Sequence, residues 1–226
     1  MNIDKFFSEK CFDYENGFLL TSDPIRLQKW VTHYELYKKI IDLPGDIVEC
    51  GVYKGSSLIR FLTYRDMLEN SMSRKIIGFD AFGEFPVTEN LSKNDLKFID
   101  QFNKSGGAGI EKNMLDKCLK YKKFINYELI KGDVNLTVAD YLSENPALKI
   151  SLLHLDMDVY EPTSYGIQNF WERVVPGGLV LIDDYGMVEG ATKAVDEFLS
   201  LHKINILKST YAHIPAYIIK QHEKIQ

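Results

Sequence analysis

The chain has 226 residues, 45% of them hydrophobic and 26% charged, with a formal net charge of -5 and a pI of about 5.6. That length supports one large domain with a real core, and the acidic balance argues against the broad basic surface of a nucleic-acid binder. No apolar run approaches the ~20 residues that cross a bilayer, so no membrane partner is expected.

The three cysteines, Cys11, Cys50 and Cys118, are odd in number and lack CxxC spacing. This argues against a disulfide framework or a zinc site and for reduced thiols in a cytoplasmic protein. The N-terminal stretch MNIDKFFSEK mixes charges with aromatics and has no apolar centre, so it does not read as a signal peptide.

In chain order, residues 1–44 read as an aromatic helical segment. Pro24 is placed to open a helix. Ile25, Trp30, Tyr34, Tyr37 and Ile41 then recur at near-helical spacing, and LPGD (Leu43–Asp46) ends the segment. This segment fits a cap over a site, an oligomer contact or plain core equally well.

From residue 45 strands and helices alternate. DIVEC (Asp46–Cys50) is a strand, followed by a helix from Ser56 with Leu58, Leu62, Arg65 and Leu68 on one face. KIIGFD, FINYELIKGD, KISLLHLD and PGGLVLIDD are further strands, with helices at TVADYLSEN, EPTSYGIQNFWERV and ATKAVDEFLS. INILKST and PAYIIKQ read as a closing strand pair. Such alternation predicts an α/β fold, a parallel sheet with helices on both faces. Residues 81–118 break the rhythm and carry the glycine tract Gly106–Gly109; an insertion of this length reads as a lid-like element.

Ligands of such sheets bind at the carboxyl ends of the strands. The chemistry-bearing residues there are Gly51, Asp80, Asp133, Asp156 and the pair Asp183–Asp184. VECGVYKGSS has G-x-x-x-G spacing, not the G-x-G-x-x-G of dinucleotide binders, and the acidic Glu49 in its strand suits a ligand's ammonium group. Asp80 is placed to accept from ribose hydroxyls or to cap a turn, and Asp133 to accept from an adenine amino group or to cap a helix. Asp156 and Asp183 lie at the ends of two strands joined by one helix. With Asp184 they can converge as an all-oxygen set suited to magnesium or a similar divalent cation, or stand as solvated loop carboxylates.

VECGVYKGSS, FDAFGEFP, LDMDVYEPT, PGGLVLIDDYG and GATKAVDEF, in this order, resemble the macrocin O-methyltransferase family. The resemblance implies a Rossmann-like class I methyltransferase fold, with a seven-stranded, mostly parallel sheet whose last strand is antiparallel. It implies S-adenosyl-L-methionine as cofactor, Mg²⁺ as metal and a sugar or glycoside hydroxyl as acceptor. A homo-oligomer is expected. Carried over by position, Glu49, Gly51, Tyr53, Gly55 and Ser56 correspond to the loop around the methionine part of the cofactor. Asp80 and Phe82 correspond to its nucleoside side, Asp133 to its adenine side, and Asp156, Asp183 and Asp184 to the metal ligands. For the base, Asp156 is the first candidate because it would sit between metal and acceptor, with Asp158 and His154 behind it. Catechol-type enzymes carry a lysine three residues after the first metal aspartate, where this chain has Val159; the family's usual glycine between the two aspartates is here Met157. The alternatives are methyl transfer to another small-molecule hydroxyl and a nucleotide-sugar oxidoreductase on a Rossmann sheet.

Overall fold

A computed structural model describes residues 10–88 and 91–221. The part of MNIDKFFSEK that precedes Lys10 lies outside the described residues.

Two helices open the described chain, α1 (Cys11–Thr21) and α2 (Pro24–Lys38). Pro24 is the first residue of α2, where its missing N–H costs nothing, and the Asp23 carboxylate accepts from the Ile25 N–H as cap. Strands and helices then alternate: β1 (Asp46–Cys50), α3 (Ser56–Leu68) and β2 (Ile76–Asp80), then α4 (Lys93–Gly106) and α5 (Lys112–Tyr121) in the insertion. The order continues with β3 (Tyr127–Lys131), α6 (Val134–Glu144), β4 (Ile150–Leu155), α7 (Tyr160–Phe170), β5 (Val174–Ile182), α8 (Glu189–His202), β6 (Leu207–Lys208) and β7 (Ala216–Ile219).

The strands form one seven-stranded sheet in the order β3-β2-β1-β4-β5-β7-β6. β1 to β5 pair in parallel, and β7 runs antiparallel to both β5 and β6. The central strands are buried on both faces, as a parallel sheet under two helical layers requires. Val48, Cys50, Leu153, Leu155, Val180 and Ile182 face one core, completed by residues of α6, α7 and α8. Ile47, Leu152, Leu179 and Leu181 face the other, completed by α2, α3 and α5.

Two arginines lie inside this second layer. Arg65, wholly buried on the predicted inner face of α3, donates to the carbonyls of Arg74, Ile125 and Asn126. Arg74 pairs with Glu69 at 2.8 Å and donates to Ser151 Oγ and to the carbonyls of Ile40, Ile41, Leu43 and Gly45. Each guanidinium satisfies carbonyls that would otherwise be stranded below the sheet.

The helix at Pro24 forms as expected, but its buried face is Thr32, His33, Leu36 and Tyr37. Ile25 and Trp30 are about half exposed, and Ile41 lies past the helix end. The spacing of large side chains pointed to a helix but not to the polar residues it buries. Helix α1 has no apolar periodicity strong enough to be read, and none of its residues is buried.

Candidate functional site

The strand ends define one cleft. Gly51, Tyr53, Asp80, Asp133 and Asp156 line it, with Met157 and Asp158 beside Asp156. The insertion closes it from outside through Phe85, Phe102 and Gly107.

Gly51 follows β1 at φ +93°, and a Cβ there would lie 1.8 Å from the Asp156 carbonyl oxygen. Only glycine lets the β1 turn and the end of β4 come this close. The Asp80 carboxylate accepts from the Val52 and Tyr53 N–H groups, each at 2.8 Å, and from Phe82 N–H. It thereby caps the turn while still facing the cleft. Asp133 likewise caps α6 through the Asn135 N–H at 2.9 Å.

The insertion is fastened to the same turn. Tyr53 Oη and Lys54 Nζ both donate to the Gly106 carbonyl at 2.7 Å, and Ile110 N–H donates to the Tyr53 carbonyl. Phe102 packs against the Tyr53 ring with centroids 5.1 Å apart. The glycine tract is therefore bonded and packed to the turn that follows β1.

Asp156, Asp183 and Asp184 each offer a carboxylate oxygen, all within 4.8 Å of one another. β4 and β5 are adjacent, with Leu155 opposite Ile182, so the residues after them meet. Burial raises the Asp156 and Asp184 carboxyls well above the usual range, and the neighbouring aspartates add to the rise. Burial likewise pushes Asp158 up, to about 7. Asp183 is held below the ordinary carboxylate range: burial opposes this, and His154 and Lys29 outweigh it. Convergent carboxylates of this kind fit a hard divalent cation.

Several expected site residues stand elsewhere. Glu49, expected beside a ligand's ammonium group, is wholly buried beneath the loop, and His154 Nδ1 donates to its Oε1 at 3.0 Å. Strand alternation turns it with Ile47 toward α2 and α3. Gly55, Ser56 and Phe82 support the turn without lining the cleft; Asp183 and Asp184 sit behind Asp156.

Two functional residues escaped the reading of the sequence. Lys29 of α2 forms an ion pair with Asp183 Oδ2. His33, one helical turn further along, stacks on Phe61 at 5.2 Å and meets His154 edge-on. Burial holds His33 well below the usual imidazole range; burial also acts to lower His154, but the Asp183, Glu49 and Asp156 carboxylates raise it to about 10. The i, i+4 spacing of Lys29 and His33 puts both on one helix face, the signal that apolar spacing alone concealed.

A seven-stranded sheet of this order with an antiparallel last strand, and a cleft at the parallel strands' carboxyl ends, is the Rossmann-like class I methyltransferase fold. A crystal structure of a calicheamicin methyltransferase superposes with a TM-score of 0.71, at 24% identity over 95% of this chain and 87% of that one. The chain belongs to the macrocin O-methyltransferase (TylF) family, whose model matches residues 28–210. It is 30% identical to the demethyldecarbamoylnovobiocin O-methyltransferase of Streptomyces niveus over 70% of this chain and 59% of that protein. It is 26% identical to the 8-demethyl-8-(2,3-dimethoxy-alpha-L-rhamnosyl)-tetracenomycin-C 4'-O-methyltransferase of Streptomyces olivaceus, over 72% of this chain and 61% of that protein. The chain thus spans about three-fifths of the length of these curated relatives. Among the described residues no helix is long and apolar enough to cross a membrane.

Proposed function

We propose that the chain is an S-adenosylmethionine-dependent O-methyltransferase that methylates a sugar hydroxyl of a small glycoside or nucleotide sugar, with a divalent cation held by Asp156, Asp183 and Asp184. One observation carries this reading. Asp156 is the member of the acidic trio that also lines the cleft bounded by Gly51, Asp80 and Asp133. A single residue thereby joins the cleft at the strand ends to the carboxylate cluster. Family membership supports the reaction class, and the rhamnosyl group in the name of one relative supports a sugar acceptor.

Bound S-adenosylmethionine would supply an electrophilic methyl group, and a divalent cation the Lewis acidity that makes a hydroxyl a better nucleophile. The chain's own part is positional. Gly51 gives the backbone a close approach, and Asp80 and Asp133 present carboxylates to the nucleoside end. Asp156, between the cation site and the cleft, is the candidate base for the acceptor's hydroxyl proton. Phe85 and Phe102 of the insertion keep water from the reacting groups, which holds the two reactants together. Met157 narrows the acceptor side.

The test is transfer of a labelled methyl group from S-adenosylmethionine to a panel of nucleotide sugars and glycosides, with and without EDTA. Transfer that EDTA suppresses is expected. Transfer unaffected by EDTA removes the cation from the mechanism, and labelling of non-sugar hydroxyls alone removes the sugar acceptor.

A further inference from the structure

Behind the acidic trio, and including one oxygen of Asp183, the structure gathers buried polar atoms without partners. Nδ1 and Nε2 of His33, Nε2 of His154, Oδ1 of Asp183 and Oε2 of Glu49 have no hydrogen-bond partner. They are five of the eight such buried side-chain atoms among the described residues. A buried polar atom left unpaired is costly, so several in one place call for a bound species that satisfies them.

The geometry identifies the species. His33, His154 and Asp183 each offer a ligating atom, all within 4.8 Å of one another. His154 Nε2 lies 3.6 Å from Asp183 Oδ1, too far for a good hydrogen bond. Ligands bound at about 2.0–2.1 Å to one ion, at tetrahedral to trigonal angles, stand roughly 3.3–3.6 Å apart. The His33 and His154 rings have centroids 5.2 Å apart and planes at 77°, so they do not stack on each other. The second nitrogen of His154 is already committed to Glu49 at 3.0 Å. A carboxylate bound to the far nitrogen is the usual partner of a metal-ligating histidine, because it fixes the ring and its tautomer. Two imidazoles with one carboxylate favour a borderline transition metal over magnesium.

We propose that His33, His154 and Asp183 form a binding site for a divalent transition metal of the zinc class, oriented by Glu49 and sharing Asp183 with the acidic trio. Such an ion ties three elements together: α2 through His33, β4 through His154 and the end of β5 through Asp183. Oδ1 of Asp183 faces the imidazoles while Oδ2 pairs with Lys29, so one carboxylate bridges the two sites. Of its ligands only Asp183 is shared with the proposed methyl-transfer site, and none of the three lines the cleft.

The test is a Co²⁺ titration of the full chain followed by visible absorption. Ligation by two imidazoles in a four- or five-coordinate site gives a d–d band several times stronger than an octahedral all-oxygen site. That band is expected in the wild type and in Asp156→Asn, which alters only the acidic trio. It is expected to vanish on Zn²⁺ addition and in His33→Phe, which keeps the stack on Phe61. The proposal is overturned if His33→Phe retains the wild-type band. It is equally overturned if the wild type gives no band, or only a weak one that Asp156→Asn removes; buried water then bridges the unpaired atoms. X-ray absorption of the zinc-loaded wild type tests the site without a variant: imidazole scattering supports it, and an all-oxygen shell overturns it. Cofactor binding is measured separately, so neither reading's failure is mistaken for the other's.

Discussion

Lys29 and Asp183, 154 positions apart, form an ion pair that fastens helix α2 to the acidic end of strand β5. The ammonium stands beside the oxygens proposed to receive a divalent cation. It partly neutralises three carboxylates whose mutual repulsion is roughly 4 kcal/mol per pair at about 4 Å and an effective dielectric of 20. A cation entering the trio therefore competes with Lys29. Lys29→Met is expected to tighten Mg²⁺ or Mn²⁺ binding by about tenfold or more, read by calorimetry. Unchanged or weaker binding would show that the lysine is no competitor.

His33 gives stability a defined pH dependence. Burial keeps it neutral in the folded chain, whereas the unfolded chain takes up a proton as pH falls through about 6.5. Below that pH the unfolded state binds more protons, so this group's contribution to stability declines as pH falls. His33→Phe removes the titration and preserves the contact with Phe61. In EDTA, thermal unfolding between pH 5 and 7 is expected to depend less steeply on pH for the variant. Parallel curves would contradict the assignment.

Gly51→Ala tests the approach of β1 to β4. The new methyl meets a backbone carbonyl, not a flexible side-chain end, and the φ of +93° is itself unfavourable for alanine. A loss of about 3 kcal/mol or more is expected in chemical denaturation. A loss below about 1 kcal/mol would mean that the turn relaxes at little cost.

Arg74→Met tests the anchor beneath the sheet. It leaves Glu69, about one-tenth exposed, without its guanidinium partner and strands the carbonyls of Ile40, Ile41, Leu43 and Gly45. Breaking a buried pair from one side costs about 3–5 kcal/mol. Denaturant midpoints measure this directly, and a near-neutral variant would show that water replaces the guanidinium.

The sheet was legible because its signals are short-range. Apolar strands ending in Gly51, Asp80, Asp133, Asp156 and Asp183 alternate with helices at regular spacing, and one helix between Asp156 and Asp183 sufficed to make their strands neighbours. The acidic trio followed from that adjacency. The environment of Glu49 did not. Its acidic character was visible, but the face it takes is set by strand alternation against α2 and α3, which turns it toward His154. Lys29 and His33 were hidden for a related reason. A search for large apolar residues at helical spacing passes over polar side chains that a helix buries against a distant charged site. In the insertion, the glycine tract marked a cover, but the bonds from Tyr53 and Lys54 to Gly106 join positions 52 to 53 residues apart, and no local pattern shows them.

Calorimetric titration of the full chain with S-adenosylmethionine and S-adenosylhomocysteine asks whether the cleft beside Asp156 binds the cofactor. Saturable binding of both at one molecule per chain, abolished by Asp80→Ala, is expected. Absence of binding by either compound to folded protein, or undiminished binding by the Asp80→Ala variant, would contradict it.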